Sequence, residues 1–300
     1  MIIYDRRAFL KYSALTSLAL TLPSPFSKGA DQPIIKKALM YGMIKEDLSV
    51  LDKFKLVKDL GFDGIELDSP NTLIEKEILE ARDKTGIELP GVVNSLHWKF
   101  PLSDPDPAVR AKCVESMKTS LMDCKKYGGT SVLLVPAVVN DKTSYADAYT
   151  RSQAEIKKLL PFAEKTGVKI AVENVWNNFL LSPLEAARYI DEFKHPMIGW
   201  HFDIGNIVRY GWPEQWIKVL GKRILKLHIK DYSRKMANDL GVWKGFDAEL
   251  GEGDANFAAV NKALKEIGYK GWGSAEVSGG DRVRLKEVSE RMDRCYAMGL

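Results

Sequence analysis

The chain is poor in the residues that build several common kinds of site. It has three cysteines in 300 residues, Cys113, Cys124 and Cys295, an odd number too small for a disulfide framework. Cys113 and Cys124 share one expected helix, and at about 1.5 Å of rise per residue they lie beyond bridging distance. Cys124 ends the apolar series Val114, Met117, Leu121, and Cys295 ends Leu285, Val288, Met292; both read as small buried hydrophobes. Four histidines are too few for the several-metal centre of a phosphodiesterase. No apolar run approaches the roughly 20 residues that cross a bilayer, so no permanent membrane span is expected. Excess charge is missing as well. The formal net charge is +4, but residues 1–30 hold Arg6, Arg7, Lys11 and Lys28 against Asp5, which leaves +1 for residues 31–300. A body so nearly neutral offers no nucleic-acid surface, and no nucleic-acid partner is expected.

What is present begins with an address. Asp5-Arg6-Arg7-Ala8-Phe9-Leu10-Lys11 precedes an apolar stretch, Ala14 to Leu22, and then Pro23-Ser24-Pro25. That is a charged region, a short apolar region and a helix breaker, the order of a secretory signal. The paired arginines followed by Phe-Leu-Lys resemble a twin-arginine signal, which exports folded proteins across the bacterial inner membrane. Residues 1–30 are therefore expected to be a signal peptide of the twin-arginine type. Residues 31–300 are expected to be the mature domain, and the periplasm its location. No cysteine follows the apolar stretch, which excludes lipidation there.

The body repeats one unit. At Gly61, Gly86, Gly128, Gly167, Gly221 and Gly268 a helical pattern stops and an apolar strand follows within a few residues, glycine being suited to end a helix in the left-handed conformation. Adding Ala38-Leu39-Met40-Tyr41 and Ile198-Gly199-Trp200-His201-Phe202 gives eight strands, separated by amphipathic segments such as Phe257, Val260, Leu264, Ile267. Eight alternating units predict an α/β fold, a (β/α)8 TIM barrel in a single domain. An open doubly wound sheet would want a glycine-rich phosphate loop after the first strand, and Tyr41-Gly42-Met43-Ile44 is not one. Residues 232–252, after the seventh strand, form one long excursion expected to lie over the barrel mouth.

Barrel chemistry sits at the carboxyl ends of the strands. There the fifth strand gives Val172-Glu173-Asn174, the sixth Phe202-Asp203-Ile204, the seventh Leu227-His228-Ile229-Lys230 and the eighth Ala275-Glu276-Val277. Carboxylates at the end of apolar strands need a cation or a partner, because isolated burial costs several kcal/mol each. One divalent metal held by Glu173, Asp203, His228 and Glu276 removes that cost. Three carboxylates and one imidazole suit Mn²⁺, Mg²⁺ or Co²⁺ better than Zn²⁺.

These residues carry a resemblance. Phe202-Asp203-Ile204-Gly205-Asn206, Leu227-His228-Ile229-Lys230-Asp231, Leu250-Gly251-Glu252-Gly253-Asp254 and Ala275-Glu276 resemble the xylose isomerase-like superfamily of sugar isomerases and epimerases, from about Ala38 onward. The resemblance implies the same four metal ligands and a small carbohydrate, a keto-sugar, as substrate. A ketone and its neighbouring hydroxyl would chelate the metal, and Glu173 and Glu276 would remove and return a proton through a metal-stabilised enediolate. Many ketose epimerases of the superfamily carry His where Asn206 stands here. Candidate substrate-binding residues are His97, Trp98, Trp176, Asn206, Lys230 and Glu252, whereas His201 reads as core and His195 as a loop residue.

The leading expectation is a metal-dependent isomerase or epimerase. Its rival is a lyase or dehydratase acting on a keto-sugar or 3-keto-glycoside through the same proton abstraction. An abasic-site endonuclease and a non-catalytic carbohydrate-binding barrel are the remaining alternatives. Export favours a sugar without phosphate, and a homo-oligomer stays open.

Overall fold

The computed structural model describes residues 35–299; the signal read at residues 1–30 lies outside the described residues. Eight parallel strands close on one another in sequence order. They are β1 (Ile35–Met40), β2 (Gly64–Ser69), β3 (Gly91–Asn94), β4 (Ser131–Leu134), β5 (Lys169–Glu173), β6 (Ile198–Asp203), β7 (Ile224–Ile229) and β8 (Gly271–Ala275). Closure is visible in the register of Ala38, which faces Gly64 of β2 and Ser274 of β8. All eight strands fall where the apolar runs predicted them, and the (β/α)8 barrel stands.

Local chemistry explains the alternation. The helix Pro107–Tyr127 starts with Asp106 accepting from the Ala108 amide and proline in its first turn, and ends at Gly128 with φ 87, a left-handed cap. Gly221 differs. Its backbone (φ 53, ψ −129) lies outside the left-handed helical region, and a short 3₁₀ turn, Gly221–Arg223, leads into β7. The helix Phe257–Glu266 buries Phe257, Val260, Ala263 and Leu264 and packs on the helix Pro213–Leu220, which buries Trp216, Ile217 and Leu220. Each such large side chain contributes about 1.5–3 kcal/mol by leaving water. The three cysteines are buried and free, and burial pushes the Cys113 thiol up to about 12, as expected of structural residues. Among the described residues no helix is long and apolar enough to cross a membrane.

Two features prepare the site. Lys226 and His228 on the inward face of β7 and Lys230 just beyond its end fall at alternate positions, so this segment points three basic groups along the barrel axis. The excursion after β7 is ordered, with a helix at Arg234–Leu240 and a 3₁₀ segment at Val242–Asp247.

Candidate metal centre

Glu173 and Asp203 are the last residues of β5 and β6, His228 lies in β7, and Glu276 immediately follows β8. Barrel closure brings one donor atom from each to within 4.8 Å of the others. His228 Nδ1 is the hub, 2.8 Å from Glu173 Oε1, 3.4 Å from Glu276 Oε2 and 3.9 Å from Asp203 Oδ2. The four residues predicted as ligands do converge.

Their orientation is fixed locally. Asp203 caps the short helix Ile204–Val208, its Oδ1 accepting the Asn206 amide at 2.7 Å. Its Oδ2 is buried with no hydrogen bond, facing Lys230 Nζ at 3.1 Å. Asn174 clamps the strand end: its Oδ1 accepts from Trp200 Nε1 and from the Asp203 amide, and its Nδ2 donates to the Asp203 carbonyl. These bonds leave Asp203 Oδ2 as a buried anionic oxygen directed at the cluster.

The charge balance tests whether a cation fits. Around His228 lie four carboxylates, Glu66, Glu173, Asp203 and Glu276, and two ammonium groups, Lys226 and Lys230. With neutral imidazoles the deficit is two positive charges, which one dication supplies. The titration of the groups reflects that deficit. Burial pushes Glu173 and Asp203 above the ordinary carboxylate value. Burial opposes ionisation of Glu276 too, but Lys230 and His228 hold it well below that value. For His228 burial acts downward, and the carboxylates of Glu276, Glu173 and Glu66 reverse it, raising the imidazole well above its ordinary value. The buried Asp203 Oδ2, paired with Lys230 but without a hydrogen bond, and the hard donor set fit a divalent ion.

Glu66 was missed by sequence reasoning. It comes from the second strand, is buried, and its Oε2 lies 3.3 Å from His228 Nε2. Nδ1 is turned to the three carboxylates and Nε2 to Glu66; with an ion on Nδ1, Nε2 would keep the proton and donate to Glu66, which would orient the imidazole. Lys226 lies within electrostatic reach of Glu66 and donates to the Pro90 carbonyl; a Cβ at Gly91 would collide with its ammonium. His201 is buried against His228, ring centroids 4.1 Å apart, with both nitrogens lacking hydrogen bonds. Both missed charges lie inside the apolar strands that follow Gly61 and Gly221, Gly64-Ile65-Glu66-Leu67 and Ile224-Leu225-Lys226-Leu227. A charge inside an apolar strand was the signal.

A cleft of about 310 Å³ opens over the cluster, lined by Glu173, Glu276, Lys230 and Asn206 below and by Trp98, Trp176, Trp243 and Phe246 at the sides. Trp98, Trp176, Asn206 and Lys230 therefore stand where a substrate would lie. Lys230 Nζ is 2.5 Å from Glu276 Oε2. Asn206 donates to the Asn174 carbonyl and faces Lys230 with its Oδ1 at 3.5 Å. His97 sits behind this surface: its Nδ1 accepts the Val135 amide, and burial lowers it to about 4, leaving a neutral ring. Glu252 is a correction. Its carboxylate is exposed and pairs with Arg291 of the last helix at 2.7 Å, because Asp231 draws the Gly251, Gly253 and Ala255 amides to its own carboxylate and fixes the Gly-Glu-Gly turn away from the cleft. Asn256 caps the helix that follows.

Comparison with known proteins agrees with this architecture. The description of the xylose isomerase-like TIM barrel matches residues 54–295. An L-ribulose-5-phosphate 3-epimerase of Escherichia coli O1:K1 / APEC is 26% identical over 233 residues, covering 74% of this chain and 79% of that one. Among solved structures, an L-ribulose 3-epimerase superposes with a TM-score of 0.74 at 17% identity, over 88% of this chain and 95% of that one. A 3-keto-D-glucoside 4-epimerase of E. coli gives 0.72 at 17% identity, over 87% and 98%. At these identities the structural matches speak for the fold.

Proposed function

Because the chain belongs to the xylose isomerase-like TIM barrel family, we propose that it is a divalent-metal-dependent isomerase of the epimerase type, acting on a keto-sugar. The observation that carries this reading is the convergence of Glu173, Asp203, His228 and Glu276 within 4.8 Å of one another beneath a cleft open to solvent. The curated relative named as a sugar 3-epimerase supports the reaction class.

Glu173, Asp203, Glu276 and His228 Nδ1 would hold the ion, with Mn²⁺, Mg²⁺ or Co²⁺ suited to the oxygen-rich set. When bound it would supply Lewis-acid polarisation of a ketone and its neighbouring hydroxyl. The protein's own groups do the rest. Glu173 and Glu276 are the two carboxylates facing the cleft, and they serve as a proton-removing and proton-returning pair. Burial gives Glu173 the higher proton affinity, while Lys230 keeps Glu276 ionised. At the cleft floor Lys230 presents an ammonium donor and Asn206 its Oδ1 acceptor to substrate hydroxyls. The signal read at residues 1–30 supports action in the periplasm.

The test is a ketose panel incubated with metal-loaded protein in D₂O and followed by NMR. Deuterium at the carbon next to the carbonyl in a product of intact skeleton is the expected result. Release of water or a free alcohol would instead assign the lyase reaction to the same carboxylates.

A further inference from the structure

We propose that the cleft accepts a keto-glycoside: a keto-sugar ring on the polar floor, with the group on its glycosidic oxygen seated against Trp176, Trp243 and Phe246. This rests on the epimerase reading for the ring at the floor and goes beyond it by naming what the rest of the substrate is.

The cleft has two chemistries in immediate succession. Lys230 joins them, its Nζ 2.5 Å from Glu276 Oε2 and 5.2 Å from the centroid of the Phe246 ring. A sugar held at the carboxylates therefore directs its next substituent onto aromatic surface. Trp176 is the centre of that wall, with ring centroids of Trp243 and Phe246 each 4.8 Å away and Tyr232 at 5.5 Å. Trp243 is 68% exposed and Trp98, across the cleft, is 51% exposed. Apolar faces left in water beside a polar site fit a ring or aryl group, whose flat faces stack on indole.

The wall is built in advance. Tyr232 donates its hydroxyl to the Val242 carbonyl at 2.9 Å, the Ser233 amide bonds the Gly245 carbonyl, and Gly245 packs so closely on the Tyr232 ring that a Cβ would collide with it. The excursion 232–252 is thus held in the position that presents Trp243 and Phe246, which limits the ordering cost of binding.

Charge argues against a phosphorylated sugar. Among the described residues, the one cationic side chain lining the cleft is Lys230, already engaged with Glu276 and Asp203. A phosphoryl dianion would meet Glu173 and Glu276 instead. Outside the lining, the guanidinium of Arg209 is stacked over Trp176 and Tyr210 at 5.0 and 5.4 Å. The relative named for a 5-phosphate substrate would then differ from this chain at this wall.

Calorimetry on the metal-loaded protein tests the proposal with three probes: a keto-hexose, its 5- or 6-phosphate, and an aryl 3-keto-glucoside. The aryl keto-glucoside is expected to bind about tenfold more tightly than the keto-hexose, the size of one aromatic stacking contact. Trp243→Ala should collapse that ratio, and Leu240→Ala, on the same excursion but outside the cleft, should keep it. Tightest binding of the phosphate, or a ratio indifferent to Trp243→Ala, overturns the proposal. Turnover separates the two readings. Trp243-dependent glycoside binding without deuterium incorporation keeps this subsite and removes the epimerase, whereas turnover of free or phosphorylated ketose with no glycoside preference does the reverse.

Discussion

The two ends of the barrel make opposite use of charge. At the amino-terminal end a cavity of about 510 Å³, larger than the one over the carboxyl ends, is lined by Lys169, Asp191, Lys194, His195, Lys222 and Arg223. Its acid is satisfied: Asp191 accepts two hydrogen bonds from Arg223, at 2.7 and 2.6 Å, and His195 pairs with Glu164 at 3.2 Å. At the carboxyl-terminal end three acids converge on one imidazole, and a single ammonium, Lys230, is shared between Asp203 and Glu276 at 3.1 and 2.5 Å. Volume does not mark the site; unmet charge held rigidly does, since a structure retains a costly arrangement only where its surroundings enforce it.

The comparison breaks most visibly if the mouth acids prove dispensable. Glu173→Gln should lower kcat by about 10²–10⁴-fold with the fold intact, measured by steady-state turnover of whichever ketose exchanges deuterium; an undiminished rate would remove Glu173 from the reaction. Metal removal should come next. A divalent ion at a hundred times its dissociation constant should stabilise the protein by about 2.7 kcal/mol, read as a rise in Tm over the chelated protein.

The chelated protein also gives the contrast in sign. Glu173 is raised by burial to about 7, so the folded state binds its proton more tightly than the unfolded chain does. Its contribution is therefore present at low pH and lost as pH rises from the ordinary carboxylate value through about 7. Asp191 is lowered by Arg223, so its contribution is present above the ordinary value and lost as pH falls. Thermal melts of Glu173→Gln and Asp191→Asn against pH should flatten opposite slopes.

A smaller effect sharpens the picture at the mouth. Glu66→Gln, which keeps the size but not the charge beneath His228, should weaken divalent-metal affinity by about 10–100-fold, measured by calorimetry. Unchanged affinity would reduce Glu66 to a structural partner of Lys226. Least of all, Arg223→Ala at the opposite end should cost no more than about 1 kcal/mol, diminishing with salt, because the pair is solvent-exposed, and should leave turnover alone.

Much of this was legible in the residues. The eight strands follow from apolar runs set after glycine helix stops, and the four converging side chains from acids and an imidazole at strand ends. Glu66 and Lys226 were equally visible as charges inside strands, yet nothing local says that a glutamate of β2 and a lysine of β7 meet across the barrel. Glu252 went the other way: its motif pointed to the cleft, and the amides gathered by Asp231 turned it toward Arg291. The aromatic wall was foreshadowed only as an excursion over the mouth.

By itself the sequence determined the alternation of elements and the kind of atom each strand delivers, because periodicity, glycine stops and burial cost act over a few residues. Tertiary structure alone decided that Nδ1 of His228 faces the acids while Nε2 faces Glu66, and that Trp243 joins Trp176 over them. Those relations depend on barrel closure and on strand register, including the irregularity between Trp200 and His201, and register is fixed by pairings between segments far apart along the chain.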